Sequence, residues 1–159
     1  MYSADNIADF FLSKINSQKG DTISPLKLQK LVYYAQAWHY TIFGHPLFEE
    51  PIEAWMNGPV TPSLFRRFAS TPKYSAIDLS SHEINPIEFT ATSNQLLTEV
   101  FMVYGDLSAS YLEELTHSEP PWILARGNAL PHQYCNTEIT LDSMLAYYST
   151  FNGEQQQTS

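Results

Sequence analysis

The spacings that could move protons or hold a metal fall in the last third of the chain. His117 and Glu119 stand two positions apart, and His132 and Cys135 stand three apart. A histidine beside a carboxylate is a candidate acid–base pair, and an imidazole with a thiolate is half of a zinc ligand set. Structural zinc needs four such ligands and catalytic zinc three plus water, so His132 and Cys135 would have to recruit His117 and Glu119 by folding. The His117–Glu119 pair has no accompanying nucleophile or oxyanion-stabilising motif. The six glycines form no phosphate-cradling loop, and neither an HExxH helix nor a GxSxG elbow occurs. His117 is then read most simply as a cation near a helix C-terminus, and Cys135 as a small buried hydrophobe. His39 lies between Ala35 and Ile42 on an apolar helix face without an acid, which predicts a core imidazole bonded to a nearby carbonyl. These residues lead us to expect no catalytic residue, no metal and no cofactor, and a metal-dependent enzyme is the least favoured reading.

Aromatic residues are the second chemical resource. Three Trp, ten Tyr and nine Phe exceed the needs of a small core, and Tyr and Trp serve as interface anchors. Tyr33 and Tyr40 are expected on the outer face of one helix, and Tyr147 off the apolar stripe of another.

Mainly helical elements must position these groups. Ser3 caps a first helix with Ile7, Phe11 and Ile15 at four-residue spacing, and Gly20 is expected to end it. Ser24-Pro25 is the strongest start signal, a cap with proline at the first helical position, and Gly44 with Pro46 is the matching stop. Between them Leu28, Leu31, Val32, Ala35, His39 and Ile42 form a stripe widened by Tyr34 and Trp38, leaving Gln29, Tyr33, Gln36 and Tyr40 outward; so wide an apolar arc marks a central helix. Alternation from Leu47 to Val60, with a turn at Asn57-Gly58-Pro59, predicts a small β element. Thr61-Pro62 opens a short helix. Residues 71–91 read as a loop with one strand near Ile87 and Phe89. Capping boxes at Thr92/Gln95 and Ser110/Glu113 predict two helices, Pro120-Pro121-Trp122 a brief helical turn, and Thr140 a last helix carrying Leu141, Met144, Leu145, Tyr148 and Phe151. The fold class expected is mainly α: a compact single-domain helical fold with a small β element, over residues 1–151, followed by a flexible polar tail at 152–159.

Composition bounds the partners. With 159 residues, 43% of them hydrophobic, the chain suits one domain that needs no disulfide, and its single Cys135 excludes an internal one. Seven of the eight Lys/Arg lie in residues 1–73 against six acids, for +1; residues 74–159 hold Arg126 against eleven acids, for −10. An acidic chain of this kind is a poor ligand for nucleic acid, whose backbone calls for a basic stripe. Met1–Asp9 lacks the basic start of a secretory signal, and no apolar run approaches the roughly 18 residues of a membrane span. A cytoplasmic binding domain is the expectation.

One pattern is more specific. Residues 23–38 read Ile-Ser-Pro-Leu-Lys-Leu-Gln-Lys-Leu-Val-Tyr-Tyr-Ala-Gln-Ala-Trp, and are followed by Gly44, Pro46-Leu47-Phe48, Glu53-Ala54-Trp55 and Gly58-Pro59-Val60. A second block, Leu115-Thr116-His117 then Pro121-Trp122, follows in order. Together they resemble the SocA-like Panacea antitoxin domain, also known as the phage-associated GepA-like family. The resemblance implies a non-catalytic, mostly helical antitoxin of a bacterial or prophage toxin–antitoxin pair, whose partner is a cognate protein toxin encoded next door. The alternative it offers is a proteolytic adaptor delivering its partner to an AAA+ protease.

The motif residues Ser24, Pro25, Leu28, Leu31, Tyr34, Trp38, Gly58, Pro59, Val60, Thr116, His117 and Pro121 are expected to build the scaffold. Candidate partner contacts are Tyr33, Tyr40, Trp55, Glu113, Glu114 and Trp122, with the acids of residues 99–119 and 138–142 forming a face complementary to a basic toxin.

Overall fold

A computed structural model describes residues 1–151 in full and the backbone of residues 152–158 as the end of the last helix. The expected tail over 152–159 lies outside the fully described residues. Among the described residues the order is α1 (Ala4–Ser13), α2 (Pro25–Phe43), β1 (Glu53–Trp55), β2 (Gly58–Val60), α3 (Pro62–Arg67), α4 (Ala91–Tyr104), α5 (Ala109–His117), α6 (Pro120–Arg126) and α7 (Leu141–Thr158). The mainly helical fold with one small β element is as expected.

α2 is the axis of the molecule, packed against α1, α4, α5, α7 and β2. Its ends follow the sequence signals: the Ser24 hydroxyl accepts the Lys27 amide, Pro25 takes the first turn, and Gly44 closes it at φ 78°. Its faces do not. Gln29, Tyr33 and Gln36, expected outward, are buried, while Ile42, expected inward, is exposed. Each buried amide pairs with a backbone segment. Gln29 Oε1 accepts the Thr61 amide at 2.9 Å and its Nε2 donates to the Thr61 carbonyl at 3.1 Å. Gln36, two helical turns on, accepts the Leu47 amide at 2.7 Å and donates to the Phe48 carbonyl at 2.8 Å. Both glutamines thus satisfy peptide groups that would otherwise be buried without partners.

β1 and β2 form an antiparallel hairpin in the register Glu53–Val60, Ala54–Pro59, Trp55–Gly58. Gly58 and Pro59 therefore lie in β2 rather than in the turn. The segment at 137–139 pairs along the other edge of β1, where the Ala54 amide donates to the Thr137 carbonyl and the Ile139 amide to the Ile52 carbonyl. α3 is tied to α1 by Arg67, which donates to Asp5 at 3.1 Å and to Asp9 at 2.7 Å.

Other boundaries shift from expectation. α1 ends at Ser13 with Lys14 as its C-cap, and Gly20 instead closes a separate 3₁₀ turn, Ser17–Lys19. No strand forms at Ile87 and Phe89; Phe89 is held by edge-on contacts with Tyr2 and Phe10 instead of a ladder. α4 and α5 begin two residues early, capped by Thr90 and Ser108.

Candidate partner-binding site

The hairpin, the start of α2, α3 and the loop after α6 enclose an open cavity of about 370 Å³. Leu26 and Leu28 of α2 meet Val60 of β2, Leu64 and Phe68 of α3, and Trp55 of β1 in its wall. Trp55 is half-buried, packing edge-on against Phe65 at 4.8 Å and donating Nε1 to Glu53. Large apolar side chains crown the rim: Phe65 is 52% exposed and Tyr134 76%. Lys73 reaches the rim because the Leu26 amide donates to the Lys73 carbonyl, fastening the loop to the start of α2.

Behind the hairpin lies a tightly bonded polar layer. Lys30 is fully buried, and its ammonium donates to the Pro59 carbonyl at 3.2 Å. Burial pulls its pKa down to about 7, opposed by the Glu113 carboxylate. Gly58, at φ 113°, leaves room for that lysine: a Cβ there would stand 2.5 Å from Lys30 Cε. Thr116 is buried beside Gly58. Glu113 accepts from Asn57 Nδ2 at 2.6 Å and from the Tyr74 hydroxyl at 2.7 Å, which raises the tyrosine pKa to about 12. Glu113, expected as a free recognition charge, therefore has both oxygens engaged within the chain. Glu114 beside it is exposed.

The two signature tryptophans are joined. Trp122 Nε1 donates to the Trp55 carbonyl at 2.8 Å, while its ring stacks on His117 at 4.0 Å and faces the Arg126 guanidinium at 4.9 Å. Burial lowers the His117 pKa, opposed by Glu113, so the cationic helix-end histidine expected from sequence is replaced by a ring favoured in its neutral form. His39 behaves as expected of a core imidazole: Nδ1 lies 2.7 Å from the His45 carbonyl, and burial lowers its pKa.

A second polar cluster occupies the core. Glu119 is buried and accepts from the Tyr34 hydroxyl at 2.7 Å and from Tyr148 at 2.9 Å; Tyr33 Oη lies 3.0 Å from that of Tyr148. Burial raises the Glu119 pKa, opposed by the two tyrosine hydroxyls. Tyr33, expected as an outward contact, is 1% exposed because this cluster draws its hydroxyl inward. Tyr40 is half-buried, 3.5 Å from Asp142 across to α7. Trp38 donates to Tyr104 at 2.8 Å, and Tyr34 stacks on the same ring at 4.1 Å. Leu28, Leu31, Pro59, Val60 and Pro121 are buried.

The metal constellation does not assemble. Glu119 is committed to the tyrosines and His117 to Trp122, while His132 and Cys135 line the groove. Among the described residues no three His, Cys, Asp or Glu are placed to share a metal. Cys135 is half-buried in the wall and not a core thiol. Sequence reasoning missed Phe65, Met56, Lys73 and Tyr134, which lie on separate segments and share no spacing; only the third dimension collects them.

The described residues form a mainly helical fold with an open apolar groove. The family is identified by its sequence model, Antitoxin SocA-like, Panacea domain, which matches residues 28–123; the chain belongs to that family. It is 37% identical over 115 residues to "Antitoxin SocA" of Caulobacter vibrioides (strain NA1000 / CB15N). That alignment covers 66% of this chain and 61% of the relative. No solved structure matches.

Proposed function

We propose that this chain is an antitoxin that neutralises one cognate protein toxin by direct binding, without chemistry of its own. The reading rests on the family match across residues 28–123, which spans the first signature block from Leu28 onward, the whole second block and every wall of the polar layer behind the hairpin. It is supported by a groove rimmed with exposed aromatic side chains, the residue types that anchor protein interfaces. No helix among the described residues is long and apolar enough to cross a membrane. On the antitoxin reading, and not on that absence, we propose that the protein acts in the cytoplasm. Residues 1–151 act as one binding domain in this reading.

Co-expression tests it. The product of the adjacent reading frame should arrest growth alone and be tolerated when this chain is present. Absence of any neighbouring toxic product rescued by the chain defeats the proposal. Partner half-life in the same cells separates two routes: unchanged half-life marks sequestration, and a shortened one marks delivery to a protease.

A further inference from the structure

The groove carries information about what fills it. The chain has 17 acids and a net charge of −9, yet among the described residues no Asp or Glu lines this cavity, whose titratable walls are Lys73, His132, Tyr134 and Cys135. The ammonium of Lys73 gives one bond to Asn57 Oδ1 at 2.9 Å and retains further donor capacity at the rim. Glu113, behind Asn57, has its oxygens occupied by Asn57 and Tyr74. Phe65 and Tyr134 project from the rim, where only something larger than the cavity contents can cover them. A freely diffusing small molecule would leave both rings in water.

We propose that this groove is the docking site for a protein segment that inserts large apolar side chains between Trp55, Phe65 and Leu28 and carries flanking carboxylates facing Lys73. The inference deepens the antitoxin reading, and rests on it only for the identity of the protein bearing the segment. The apolar anchors supply the burial, and the flanking carboxylates fix direction, because a basic flank would meet Lys73 as a like charge. Charge on the chain is then arranged in two parts, an acid-free groove built mostly from the near-neutral half and a strongly acidic second half that lends it only the loop with His132, Tyr134 and Cys135, so that a partner of opposite polarity docks in one orientation.

The test uses the single cysteine. Two synthetic peptides with the same Trp and Leu anchors, one flanked by Glu and one by Lys, are titrated against the full chain while a maleimide alkylates Cys135. The Glu-flanked peptide should slow alkylation and bind about tenfold more tightly than the Lys-flanked one. Lys73→Glu should reverse that preference, and Phe65→Ser should weaken both peptides about tenfold; Phe65 is 52% exposed, so its loss leaves the core intact. The proposal is overturned if neither peptide protects Cys135, if protection ignores the flanking charge, or if the chain self-associates through this face and Phe65→Ser abolishes that association. Peptide binding without rescue in co-expression removes the antitoxin reading and keeps the groove. Rescue that survives both variants, with Cys135 unprotected, does the reverse.

Discussion

At the scale of residues, the most consequential group is Lys30, a lysine with no exposure held against a carbonyl. Its folded pKa of about 7 lies below the ordinary 10.5 of the unfolded chain. Between these values the unfolded state binds more protons, so stability rises as pH increases from 7 toward 10.5; below 7 both states are protonated and the cost of the buried charge is fully present. We expect unfolding free energy to increase by about 1–2 kcal/mol between pH 7 and 8.5, and Lys30→Met to flatten that slope. Denaturant titrations at the two pH values check this, and an unaltered slope in the variant would remove Lys30 as the source. His39 and His117, lowered by burial, act below 6.5 in the same direction, whereas the raised Glu119 acts above 4.5 in the opposite one. None of this could be read from the sequence, where Lys30 is one of two lysines on α2 and nothing marks it as buried.

At the scale of elements, helix ends were legible and helix faces less so. Ser24-Pro25 and Gly44 bracket α2 because capping is local chemistry, settled by side chains within a few residues. Gln29 and Gln36 defeated the periodicity because an amide counts as polar in a pattern, while here each spends its polarity on a buried peptide group of another segment. The caps of α4 and α5 slipped for one shared reason. Thr90-Ala91-Thr92 and Ser108-Ala109-Ser110 each offer two hydroxyls, and in both the earlier one takes the cap, extending the helix by two residues.

The hairpin gives the sharper prediction. Gly58→Ala meets both a positive φ and Lys30 Cε at 2.5 Å, so it should cost at least about 2 kcal/mol. Gly20→Ala, at φ 85° with open space around it, should cost only the strain, about 1 kcal/mol. Thermal unfolding of the two variants decides the matter; equal losses would mean that the close approach to Lys30 contributes nothing.

At the scale of the whole molecule, the ordered motif blocks already pointed to the family, because each is a run of neighbours in sequence. The groove was hidden because its walls come from the hairpin, α2, α3 and the loop after α6. Charge asymmetry was visible in composition, and its expected consequence is kinetic. Association with the partner should slow as salt is added while dissociation changes little, since long-range attraction governs encounter and close packing governs escape. Stopped-flow measurement over a salt series tests this, and an association rate indifferent to salt would discard the acidic half as a steering surface.

Arg126, buried where most arginines are wet, donates to the Ala54 carbonyl at 3.1 Å, to Leu130 at 2.7 Å and to Gln133 at 2.8 Å. One guanidinium thus gathers the hairpin and the loop bearing His132, Tyr134 and Cys135 around a single point. The conformational freedom of that loop is surrendered when the chain folds, so little of it remains to be lost at the moment of docking. The groove meets its occupant with one wall already set, and the affinity of the encounter is correspondingly less eroded by ordering.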